Sequence, residues 1–138
     1  SRDLLILVHT PHLEDKMKGT RMIMDAIKDH GVDPGRVLID HVEEHTVRHV
    51  LDRGFWAGMT LYPDTKCTPQ RAVDIFEMHG TERLWINSAG DWGQSDPLAV
   101  PKTQIEMKAR GHTLESVRKV SFDNPLQFLS QSGRFRIA

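Results

Sequence analysis

The chain has 138 residues, of which 38% are hydrophobic and 27% charged, and its formal net charge is -1. That composition suits one globular domain with a sizeable core and excludes a disordered chain. It shows no basic block of the kind that binds nucleic acid, and no apolar stretch near the roughly 20 residues of a membrane span.

In chain order, the run Leu4-Leu5-Ile6-Leu7-Val8 predicts a first strand. No secretory leader is read ahead of it. A helix is expected from about Leu13 to His30, a second strand at Val37-Leu38-Ile39, and a helix from Glu44 to Arg53. The third strand is expected over Trp56 to Leu61, with a helix from Pro69 to His79. The fourth is Leu84-Trp85-Ile86, with a helix from Pro97 to Arg110. The strand runs are continuously apolar, which suits strands buried on both faces of a parallel sheet.

Punctuation supports these boundaries. Gly31, Gly54, Gly80 and Gly111 each follow a basic or histidine residue at a helix end, where glycine supplies the left-handed turn and the cation suits the helix dipole. Thr68-Pro69 and Asp96-Pro97 place a capping side chain before a first-turn proline. Asp123-Asn124-Pro125 is expected to open a short last helix in the same way.

Strands separated by crossover helices imply an α/β fold with a parallel sheet. Both an open doubly wound sheet and part of a TIM (β/α)8 barrel fit the pattern. A complete barrel takes about 250 residues and eight strands, so four βα units amount to half of one. Residues 1–138 are therefore expected to form a single partial domain: a barrel fragment, or one partner of a split protein.

In parallel α/β folds ligands gather at the carboxyl ends of the strands. Strand one ends in His9-Thr10-Pro11-His12, strand two in Asp40-His41, and strand four in Asn87-Ser88-Ala89-Gly90-Asp91-Trp92-Gly93. Two imidazoles and a carboxylate make a donor set for zinc, and also for manganese or iron. Asp40, by strand alternation, is expected to point away from His41. His12 and His45 lie just past strand ends and are weak candidates for lining the pocket, as is Trp92 beside Asp91. His30, His79 and His112 flank helix-ending glycines and read as surface residues, and His49 as a solvated helix residue. Cys67 is the single cysteine, which rules out an intrachain disulfide and suits a reducing cytoplasm.

A histidine after one strand, another after the next and an aspartate after the last resembles the C-terminal half of the TatD-type metal-dependent hydrolases of the amidohydrolase superfamily. Leu7-Val8-His9-Thr10 resembles the fifth strand, Leu38-Ile39-Asp40-His41 the sixth, Trp56-Ala57-Gly58-Met59 the seventh, and Asn87-Ser88-Ala89-Gly90-Asp91 the eighth. The tail Phe122 to Phe128 resembles the closing helix of such barrels. The resemblance implies His9, His41 and Asp91 as metal ligands, with Asp91 also the catalytic acid–base. It implies one or two divalent ions, zinc first, with manganese, magnesium or iron as alternatives, and a small-molecule or phosphoester substrate. The family's first-strand His-x-His pair and its glutamate are not in this chain, so the fragment is expected to be inactive alone; four barrel strands also leave two unpaired edges, so it is expected to self-associate. Pro11 replaces a usual arginine, and Gly90-Asp91-Trp92-Gly93 replaces a Thr-Asp-x-Pro setting. Both changes touch substrate contacts and, with the charge, point away from nucleic acid. The competing reading is a non-catalytic α/β module that binds a ligand or partner at the same strand ends.

Overall fold

Each of the four apolar runs forms a strand in the computed structural model, which describes residues 3–10, 15–62, 66–90 and 94–137. The elements are β1 (Ile6–His9), α1 (Lys16–Asp29), a 3-10 turn (Pro34–Arg36), β2 (Val37–Asp40), α2 (Val47–Asp52), β3 (Trp56–Leu61), α3 (Pro69–His79), β4 (Leu84–Ser88), α4 (Ala99–Ala109), α5 (Leu114–Arg118), a π-helical turn (Lys119–Asp123) and α6 (Asn124–Leu129). The four glycines expected at helix ends all have positive φ, between 67° and 88°. Thr68 caps α3 by accepting from the Arg71 amide at 3.2 Å.

The sheet runs β1-β2-β3-β4 with every neighbour parallel. A doubly wound sheet reverses its strand order at a switch point and carries helices on both faces. This sheet keeps its strands in sequence order, and its crossover helices share one face. Val37 and Ile39 of β2, Ala57, Met59 and Leu61 of β3, and Leu84 and Ile86 of β4 share one core with Met24, Val47, Val50, Val73 and Phe76 of the three crossover helices α1 to α3 and with Ala99 and Met107 of α4. All crossovers therefore lie on one face, as in a barrel wall. The architecture is half of a (β/α)8 barrel.

The opposite, inner face carries the alternate residues. At its lower end Leu38, Trp56 and Trp85 are sealed by Phe128 of α6, whose ring centroid lies 5.7 Å from that of Trp56 and 5.2 Å from that of Trp85. The tail is then clasped to the first strands. Arg36 donates to the Gln131 carbonyl and to Asp3, while Ser132 and Gly133 donate to Asp3.

Three sequence expectations are corrected. β1 is not buried on both faces: Ile6 is 39% and Leu7 55% exposed, because β1 is an edge strand that pairs on one side only, with β2. Asp123 does not cap α6; its backbone is helical, the chain runs on from α5 through the π-helical turn, and its carboxylate accepts from Arg118. α4 begins at Ala99 rather than Pro97, because Asp96 and Pro97 form a preceding turn in which the Asp96 carboxylate accepts from the Leu98 amide.

Candidate metal centre

The upper part of the inner face forms a cleft of about 290 Å³ at the carboxyl ends of the strands, lined among others by His9, Asp40, His41, Thr60, Lys66 and Asn87. Alternation brings His9 of β1, Asp40 of β2, Thr60 of β3 and Asn87 of β4 to this face. His41 follows Asp40 and would point outward in a regular strand. Its φ is 64°, a left-handed conformation that costs a non-glycine residue about 1–2 kcal/mol. Its amide donates to Asp40 Oδ1 at 2.9 Å. The kink turns the His41 ring inward, so two consecutive side chains occupy the cleft. This corrects the expectation that Asp40 points away from His41.

His9 Nδ1 and His41 Nε2 lie 2.7 Å apart, with the rings edge to face at a centroid distance of 4.7 Å. One nitrogen of the pair must be protonated and the other a lone-pair acceptor. His9, Asp40 and His41 each offer one ligand atom, and these atoms all lie within 4.8 Å of one another. Two imidazoles and a carboxylate oxygen so close together suit a divalent ion.

Asp40 is 7% exposed. Besides the His41 amide, its Oδ1 accepts from Asn87 Nδ2 at 3.1 Å, and its Oδ2 accepts from the Thr60 hydroxyl at 3.1 Å. The space for this carboxylate comes from Gly58, where an added Cβ would lie 2.6 Å from Asp40 Oδ1. Lys66 Nζ reaches the cleft, 3.4 Å from His41 Nε2 and over the Tyr62 ring. The sequence does not single out Thr60, Lys66 or Asn87, and it ranks Asp40 only as a weaker ligand candidate. The overlooked signal is Gly58, since a glycine inside a strand marks a close approach.

Of the residues expected at the site, His9 and His41 are brought together. His45 is exposed, 3.9 Å from Glu43, and does not line the cleft. His12, Asp91 and Trp92 lie outside the described residues. The other histidines occupy the surface: His30 bonds the Ala26 carbonyl at the end of α1, His112 faces Glu77, and His49 is exposed.

The acidic pair after His41 is held in ion pairs. Glu43 takes the buried Lys16 ammonium at 2.9 Å, and Glu44 takes Arg71 through two bonds of 2.5 and 2.7 Å. The Arg71 hydrogen bonds hold the Glu44 carboxyl below its ordinary pKa. Burial pushes the Cys67 thiol up to about 12, which leaves it protonated and unreactive. A larger and more open hollow of about 400 Å³ lies on the outer surface between the starts of α3 and α4. Its Asp96 and Lys102 are paired with each other, and among the described residues that line it there is no imidazole or thiol.

No family model matches the chain. It is 26% identical over 123 residues to an uncharacterized metal-dependent hydrolase of Methanocaldococcus jannaschii, covering 89% of this chain and 48% of that protein. The chain thus spans about half the length of the curated relative it matches. Among solved structures, a TatD-like protein of Archaeoglobus fulgidus superposes with a TM-score of 0.65 at 28% identity, over 93% of this chain and 48% of that one. The β-aspartyl dipeptidase of Fervidobacterium islandicum gives 0.65 at 15% identity, over 90% and 38%, a likeness of fold alone. In sequence and in fold the chain is similar to half of a TatD-type metal-dependent hydrolase barrel.

Proposed function

We propose that the chain is the C-terminal half of a TatD-like hydrolase in which His9, His41 and Asp91 serve a divalent-metal centre, zinc in the first place. The observation that carries this reading is the convergence of His9 and His41, from two adjacent strand ends, to 2.7 Å. A divalent ion held there would lower the pKa of a bound water toward neutrality and polarise the scissile phosphoryl or carbonyl group.

The chain's own residues do the remaining work. His9 and His41 present lone pairs and so act as ligands in their neutral forms. Leu38 and Trp85 line the cleft, and their packing with Phe128 keeps water from its floor. Asp91 takes the water proton and returns it to the leaving group. His12 and Trp92 contact the substrate, a small phosphoester or amide, whereas His45, turned to Glu43 outside the cleft, does not; the near-neutral net charge gives no support to nucleic acid. The single buried cysteine fits a cytoplasmic protein, and among the described residues no helix is long and apolar enough to cross a membrane. The fragment by itself is inactive, because the ligands of the other half are needed.

The test is metal analysis of the purified chain followed by assay of the complete barrel. Stoichiometric zinc or manganese, lost in His41→Ala, is expected, with phosphoesterase or amidase turnover abolished by Asp91→Asn. Turnover that survives both chelation and Asp91→Asn would overturn the reading. The direct His9–His41 hydrogen bond engages one nitrogen of each ring without an ion, and this favours the alternative of a non-catalytic binding module. Metal-free protein with unchanged folding is the result that supports it.

A further inference from the structure

We infer that Asp40 is itself a metal ligand, so that His9, Asp40 and His41 form a two-histidine, one-carboxylate donor set within this chain. The inference rests on the metal-centre reading and adds a residue to it.

Four observations support it. First, Asp40 faces the cleft beside the imidazoles rather than lying behind them, because the left-handed turn at His41 brings consecutive side chains to one face. Second, the carboxylate is buried, and its donors are all neutral: the His41 amide, the Thr60 hydroxyl and the Asn87 amide. Among the described residues no lysine or arginine is ion-paired with it. A buried charge held only by neutral groups is costly unless a cation compensates it.

Third, Asp40 Oδ2 lies 3.9 Å from His41 Nδ1. That is too long for a hydrogen bond that would orient the ring. Two donors of one ion, each bound at about 2.0–2.2 Å, lie roughly 3–4 Å apart. Oδ2 accepts one hydrogen bond, from Thr60, and so retains a lone pair. Fourth, strand β3 keeps position 58 without a side chain, and any Cβ there would strike the carboxylate. The fold has reserved the volume that this one group occupies.

The experiment uses the whole chain titrated with cobalt. In Asp40→Cys the thiolate replaces the carboxylate as ligand, and a near-ultraviolet thiolate-to-cobalt charge-transfer band is expected. The unaltered chain, whose Cys67 is buried at the foot of α3, is the control and should show none. In Asp40→Asn the affinity for zinc is expected to fall about a hundredfold or more, beyond the 10–100-fold typical of groups that only support a ligand. If Asp40→Cys does not fold, Thr60→Val is read instead. It keeps the Asp40 charge and removes one donor, so zinc affinity should drop about tenfold if Asp40 ligates.

A folded Asp40→Cys protein that binds cobalt without the band overturns the inference, as does Thr60→Val with affinity unchanged. If the unaltered chain binds metal, loses it in His41→Ala and shows no role for Asp40, the metal-centre reading stands and this inference falls. If the unaltered chain binds no metal, both fall.

Discussion

Gly58 and Asp40 show how a single side chain can be fixed by its neighbour's lack of one. An alanine at 58 would bring its Cβ to 2.6 Å from Asp40 Oδ1, inside a fully buried strand. Gly58→Ala is therefore expected to destabilise the chain by about 1–3 kcal/mol, measured by urea unfolding; an unchanged midpoint would contradict the packing described. Glu44 offers a second test. Its carboxyl is held below the ordinary value by Arg71, so the pair stabilises the fold above the unfolded carboxylate pKa and loses that contribution as pH falls through the folded one. The stability gap between the native chain and Glu44→Gln should shrink steadily on acidification and stay constant from neutral pH upward. His9 and His41 were legible in the sequence because each follows an apolar run. Asp40 was not, since alternation holds only while the backbone stays extended, and one positive φ at His41 cancels it.

At the scale of elements, α6 is legible in the sequence as a closing helix, but its start and its packing partners are not. Its cap was misassigned, yet Phe128 is fully buried between Trp56 and Trp85. Phe128→Ala should cost about 3–5 kcal/mol and shift the tryptophan emission to the red as the two indoles gain water. Thermal unfolding followed by fluorescence measures both, and a loss under about 1 kcal/mol would show that α6 is a loose appendage. The crossover helices were far more legible, because glycine and proline act through local backbone geometry that needs no tertiary partner. The start of α4 was missed because Asp96 caps a turn as readily as a helix.

For the whole molecule, the βα repeat was written in the sequence but its closure was not, since an open sheet and a barrel wall share the same local pattern. Strand order and the placement of all crossovers on one face decide it. The same arrangement leaves β1 as an edge, with Leu4 and Leu7 each 55% exposed. An unpaired edge beside apolar side chains recruits other strands, so light scattering of the isolated chain should report a dimer or larger assembly; a clean monomer would count against it.

The clasp between the tail and the first strands has a kinetic consequence. Every strand pairs with its neighbour in sequence, so each βα unit can form soon after the one before it. The bonds from Arg36 to Gln131 and from Ser132 and Gly133 to Asp3 span 95, 129 and 130 residues. Closing so long a loop is entropically slow and waits for the rest of the sheet. The clasp is thus the natural last event of folding and the first contact to open. Early hydrogen exchange at Ser132 and Gly133 would mark where the molecule begins to come apart.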